Sequence, residues 1–229
     1  MKFMRAVGLI LFAISLVAAC VGLSLSLLLF PPVVDGLVLV THPDAQEAEL
    51  QAVREVKLAT LRYVTALPFE QKFPEERFDD IDISALNAAP YTADELSHLQ
   101  DVRTLIGWAL VATYAVAVVN TAILSATKHS AFARRSTRAA GIVCLVLPVV
   151  IAAALLLDFG QSFTAFHEVL FPQGNWMFPY DSLLITVNPA PFWQVCGLLW
   201  MGLLLLLGVI LIAISCFCGE KYAWERIKA

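Results

Sequence analysis

Four long apolar stretches divide the chain, and the polar residues between them recur at helical or turn-like spacing. Residues 6–30, 105–126, 139–157 and 195–217 are each long enough to cross the roughly 30 Å hydrocarbon core of a bilayer as helices. None of the four contains Asp, Glu, Lys or Arg. Between the first two, residues 33–41 (VVDGLVLVT) are apolar and β-branched and predict a short strand. Residues 78–83 (FDDIDI) alternate in a way that pairs with it. Residues 43–67 read as an amphipathic helix through Leu50, Val53, Val56 or Lys57, Leu61 and Val64, and the stretch 68–77 as a turn-rich connector. Thr92 and Glu95 form a capping box, so a helix starts near Ala93 and meets no breaker until beyond Ala126.

The expected fold class is an all-α membrane protein with four transmembrane helices and a small extracytoplasmic α/β cap. In chain order the segments are 1–30, first span; 31–92, cap; 93–126, a helix entering the second span; 127–138, cytoplasmic basic loop; 139–157, third span; 158–194, outer loop; 195–217, fourth span; 218–229, cytoplasmic tail. The lysine and arginine distribution sets the orientation. Lys2 and Arg5 precede the first span; Lys128, Arg134, Arg135 and Arg138 fill the second connection; Lys221, Arg226 and Lys228 follow the last span. Residues 31–103 hold 14 acidic against 6 basic residues, and 158–194 hold Asp158, Glu168 and Asp181 with no Lys or Arg. Both termini are therefore expected in the cytoplasm of a bacterial cell, with the acidic regions outside. Cys20 ends a VAAC stretch like a lipoprotein cleavage site, but the apolar run continues to Phe30 and reads as an uncleaved signal anchor.

Composition sharpens the class. Of 229 residues 59% are hydrophobic, and the mean hydropathy is +0.77, beyond the range of a soluble domain of this size. Spans free of charge argue against an ion pump, which needs ionisable groups at depth. Cys20, Cys144, Cys196, Cys216 and Cys218 all lie in or beside spans, so no disulfide scaffold is expected in the outer regions. The Cys-Phe-Cys pair lacks metal-ligand spacing, and no metal or other cofactor is expected. Nucleic acid is not an expected partner.

The candidate chemistry sits in two outward segments. His98 lies in TADELSHLQDVR (92–103), on the outer turns of the second membrane helix. Asp101 shares its face at i+3, where a carboxylate can orient an imidazole and stabilise its protonated form. Taken alone, a hydrated His–Asp pair at headgroup level explains this equally well. His167 lies in FHEVLFPQGNW (166–176), within an outer connection too aromatic for a solvated loop. Phe166 and Trp176 read as pocket walls against interfacial anchoring, and Asp181 as a support for a histidine or the cap of a short helix. His42 and His129 look ordinary.

ELSHLQDVR, FHEVLFPQGNW, DSLLI (181–185) and PAPFW (189–193) together resemble the bacterial four-span integral membrane family of the lipoprotein intramolecular transacylases, Lit. The resemblance implies an enzyme that moves an acyl chain from the glycerol sn-2 ester to the α-amino group of a diacylglyceryl-cysteine. Its partners are then a lipid-modified lipoprotein N-terminus and membrane lipids, its catalytic residues His98 and His167, and its product a lyso-form lipoprotein.

That chemistry suits the residues. Ester to amide runs downhill and needs no nucleotide, metal or carrier. An α-amine has a pKa of roughly 8 and an imidazole one of about 6.5, so a neutral histidine can take the proton as the bond forms. His98, oriented by Asp101, is the expected base and His167 the oxyanion donor or relay, with the reverse assignment open. Two rivals stand beside it. One is a non-catalytic lipid-binding scaffold that uses the acidic cap. The other is a metal-dependent hydrolase with His98, Asp101, His167 and Glu168 as ligands, for which the paired-histidine motifs are missing.

Overall fold

A computed structural model describes residues 2–66, 78, 80–128 and 130–217. Among these residues every regular element is helical: α1 (Lys2–Leu28), α2 (Pro31–Thr41), α3 (Glu47–Thr65), α4 (Ala93–Thr127), α5 (Ala131–Leu157), α6 (Phe159–Leu170), α7 (Leu183–Val187) and α8 (Ala190–Phe217). Four of them, α1, α4, α5 and α8, are long and apolar enough to cross a bilayer. The protein is an all-helical membrane protein. The 68–77 connector, His129, the Cys-Phe-Cys pair's second cysteine and the 218–229 tail lie outside the described residues.

The expected α/β cap is not supported, since no strand occurs among the described residues. Residues 33–41 belong to helix α2, which opens on Pro31 and Pro32 at its first two positions, where proline's fixed φ suits a helix start and its missing N–H costs nothing. Val34, Leu37, Val38 and Thr41 are buried, the i, i+3, i+4, i+7 face of a helix. β-branching suggested a strand, but with no partner strand the backbone groups are satisfied only within a helix. Residues 80–83 are irregular, and Ile81, Ile83 and Leu86 anchor the stretch in the core. Helix α3 starts at Glu47 rather than at Pro43. It buries Val53, Val56, Leu61 and Val64 as its periodicity predicts, together with Lys57. The expected basic loop is largely the first turns of α5, and the 158–194 connection holds two helices of its own.

The described residues fall into two compact units. One comprises the described residues of 2–25, 110–156 and 200–217. Phe12, Leu16 and Cys20 of α1 pack there with Ala140 and Cys144 of α5 and Leu204 and Leu211 of α8. A Cβ placed on Gly141 would come within 2.9 Å of the Gly208 carbonyl, so these two glycines let α5 and α8 cross at backbone contact. Asn120 of α4 donates to the Ser15 carbonyl (3.0 Å) and accepts from its hydroxyl (2.8 Å), which satisfies both groups where water is scarce.

The other unit comprises residues 26–109 and 157–199 and holds every candidate site residue. Its core joins Val38 of α2, Val53 and Val56 of α3, Leu86, and Leu183 and Val187 of α7. A second cluster joins Tyr63 and Val64 of α3 to Leu99 of α4 and Leu184 of α7. Arg54 of α3 grips Asp35 of α2 through two nitrogens, the Nη2 bond being 2.8 Å.

Candidate active site

Helix α4 begins with the expected capping box. The Thr92 N–H donates to Glu95 Oε2 at 2.8 Å, and the Glu95 N–H donates back to the Thr92 hydroxyl at 3.3 Å. The same carboxylate does more than cap. It is 1% exposed, and its Oε1 accepts the Leu184 N–H at 2.9 Å. One buried charge therefore fastens the first turns of α4 to α7, one turn before His98. Sequence alone showed only the local half of this role, because the second partner lies 89 residues away.

His98 emerges from that fixed turn and is 7% exposed. His167 sits on α6, which starts at Asp158, whose side chain accepts the Gln161 N–H at 2.9 Å as an N-cap. The two imidazoles lie 6.4 Å apart between ring centroids. Aromatic rings enclose them. Phe171 meets His98 edge-on at 4.8 Å and His167 at 5.8 Å, and Phe178 lies 5.7 Å from His98. Phe163, Trp176 and Phe166 lie 4.0, 5.0 and 5.3 Å from His167. Phe163, Phe171 and Phe178 were not singled out in the sequence, where they look like interfacial aromatics.

The hydrogen bonds distinguish the two histidines. His167 Nδ1 lies 2.8 Å from the Phe163 carbonyl, which can only accept, so Nδ1 carries a proton. In the neutral ring this leaves Nε2 as a free lone pair. Burial holds the His167 imidazolium below the usual histidine range, against the pull of that carbonyl. His98 Nδ1, by contrast, is buried with no partner. This ring nitrogen, beside a second histidine, keeps its hydrogen-bonding capacity.

Asp101 is not bonded to His98. Its Oδ2 accepts from the Gln173 amide at 2.9 Å and the Asn175 amide at 2.7 Å. Between those residues Gly174 turns the chain with φ of +80°, which glycine adopts without strain. Asp101 thus ties down the turn that leads from Phe171 to Trp176. Asp181 is exposed and stands on a cavity with Thr92 and Ser182, whose lining includes neither imidazole. His42 caps the C-terminus of α2. No three His, Cys, Asp or Glu side chains converge as a metal site among the described residues.

Lys57 is a further residue whose role the sequence left open. It is 4% exposed, donates to Asn188 Oδ1 at 2.9 Å and stands 2.9 Å over the Phe192 ring. Burial without a carboxylate partner lowers its ammonium to about 7.

The profile of the family described as lipoprotein intramolecular transacylase Lit matches residues 7–193. The chain belongs to the Lit family. An uncharacterized protein of Aquifex aeolicus (strain VF5) is 25% identical over 135 residues, 58% of this chain and 59% of that one. The chain thus spans about three-fifths of the curated relative it matches. The solved structure of Lit from Bacillus cereus superposes with a TM-score of 0.74 at 16% identity, covering 98% of this chain and all of that one. A histidine-to-arginine mutant of the same protein superposes with a TM-score of 0.66, also at 16% identity, covering 98% and 96%. These similarities establish the helical membrane fold that the Lit family shares.

Proposed function

We propose that the chain is a membrane-embedded acyltransferase acting on a diacylglyceryl-modified N-terminal cysteine. It moves one acyl chain from the glycerol sn-2 ester to the cysteine α-amino group and leaves a lyso-form lipoprotein. The observation that carries this reading is the pair of buried imidazoles, from α4 and α6, facing each other inside one aromatic enclosure.

The reaction joins two parts of one molecule. The α-amine attacks the ester carbonyl, an N–C bond forms, and a tetrahedral oxyanion results. Collapse breaks the acyl C–O bond, and the glycerol oxygen leaves with the proton the amine gave up. Nothing else is consumed. His167 suits the proton step, since its Nδ1–H is committed to the Phe163 carbonyl and its Nε2 is left as a base. This takes the reverse of the assignment the sequence favoured, an alternative it left open. His98, with its unpaired Nδ1, suits hydrogen bonding to the oxyanion. The rings around both keep water from competing for the ester. Holding amine and ester together removes several kcal/mol of barrier by itself.

The orientation follows the sequence: both termini in the bacterial cytoplasm, with the histidine-bearing unit outside, where lipoprotein N-termini are presented. Phe166 and Trp176 serve as walls for the lipid substrate. The test is mass spectrometry of a reporter lipoprotein N-terminus from cells expressing the wild type, His98→Ala or His167→Ala. The wild type is expected to shift one acyl chain to the amine, and each variant to lose about 10²–10⁴-fold in rate. Identical acylation patterns in all three would leave a non-catalytic lipid-binding protein.

A further inference from the structure

An open cavity of about 620 Å³ lies between the 86–90 stretch and the 178–183 turn, a size typical of ligand clefts. Phe178 is a wall of both this cavity and the histidine enclosure, and Glu95, one helical turn before His98, lines the cavity as well. We propose that this cavity receives, in extended form, the polypeptide that follows the lipidated cysteine. The inference rests on the transacylase reading and adds where the protein part of the substrate is held.

The walls are made for peptide rather than for acyl chain. Asn87, Ala88 and Ala89 belong to no helix, and their main-chain groups make no backbone hydrogen bond with another described residue. An extended peptide offers the alternating N–H and C=O groups that pair with such a stretch. Ser182 Oγ accepts the Ile185 N–H at 3.3 Å, which leaves its own hydroxyl proton to donate. A hydrocarbon chain in the same space would strip water from these groups and give nothing back. The place also answers a geometric need. When the cysteine amine reaches the imidazoles, the acyl chains run to lipid, and the remaining peptide needs a polar exit beside His98.

The cavity has a charge preference. Among the described residues Asp181, which stands on it, has no hydrogen bond or ion pair, and no Lys, Arg or His lines the walls. Acidic residues shortly after the cysteine are disfavoured there, and basic or neutral ones are accepted.

The experiment uses the full chain in detergent micelles and a synthetic diacylglyceryl-cysteine hexapeptide with a photoreactive residue three positions after the cysteine. Adducts located by mass spectrometry are expected on residues 86–90 or 178–183. Adducts elsewhere, or none at this cavity, overturn the proposal. Acyl transfer is read separately on the same hexapeptide, so failure of the reaction and failure of the cavity give different results. Ala89→Trp, which fills the cavity from an exposed position, is expected to raise KM for the hexapeptide about tenfold, or 1.4 kcal/mol. It is expected to leave conversion of diacylglyceryl-cysteine amide, which has no peptide, unchanged. Equal effects on both substrates also overturn the proposal.

Discussion

In the proposed reaction a single proton position divides the labour between two otherwise similar side chains. His167 gives its Nδ1 proton to the Phe163 carbonyl, so its reactive nitrogen is determined before any substrate arrives. His98 carries no such commitment on Nδ1. Protonation of His167 would remove the Nε2 lone pair, and burial places that event below the usual value of about 6.5. The neutral ring is thus favoured in the folded protein. Activity is expected to show a first acid limb at about pH 8, where the attacking α-amine takes up a proton, and a second only as the pH drops through the lowered His167 value. The His167 contribution to stability follows the same course, complete above about 6.5 and lost on further acidification. A pH–rate profile on the micellar lipopeptide checks this, and a second limb centred at or above about 6.5, apart from the amine's own, would assign the base elsewhere. The two histidines were legible in the sequence because each stands out at a membrane boundary. Their division of roles was not, since it depends on which nitrogen meets which carbonyl.

Among the elements, the short segments between spans do the positioning. α7 has only five residues, yet it is held from both ends: Glu95 takes its Leu184 N–H, and Lys57 reaches Asn188 just past its last turn. The Lys57 ammonium titrates near 7 when folded and near 10.4 when free. Between those values the unfolded chain binds more protons, so unfolding free energy rises with pH across that window. Lys57→Met keeps the stem over Phe192 and removes the titration. Thermal unfolding from pH 7 to 10 is expected to show a rising Tm for the wild type and a flatter one for Lys57→Met. Parallel curves would show that the lysine is not buried as described. The sequence offered Lys57 only as an alternative to Val56 on the α3 face, because a helical wheel cannot say that Asn188 waits opposite. The α2 helix was misread for a different reason. β-branched valines outweighed a Pro-Pro start and a buried face repeating at three and four residues, both of which favour a helix.

For the whole molecule, the four spans were legible from hydropathy alone, because a charge-free apolar run of that length has few other stable fates. The lysine and arginine distribution then predicts which side each connection occupies, and this is open to direct measurement. Tyr180 is 96% exposed beside the proposed peptide cavity, and Ser130 lies in the connection on the opposite side of the predicted topology. In intact cells, Tyr180→Cys is expected to react with a membrane-impermeant maleimide, over the background of the unsubstituted chain. Ser130→Cys is expected to react only after permeabilisation. The reverse pattern would put the histidines in the cytoplasm and end the lipoprotein reading.

The Asp101 anchor of the Gln173–Asn175 turn carries one more implication. His98 and Asp101 stand three residues apart on α4, so a single helical turn presents one imidazole and fastens the strap that encloses it. Their mutual spacing is independent of how many residues α4 has further along. Relatives living in thicker or thinner bilayers can thus lengthen or shorten that helix by insertion or deletion beyond Asp101 and keep the imidazole and its strap in step.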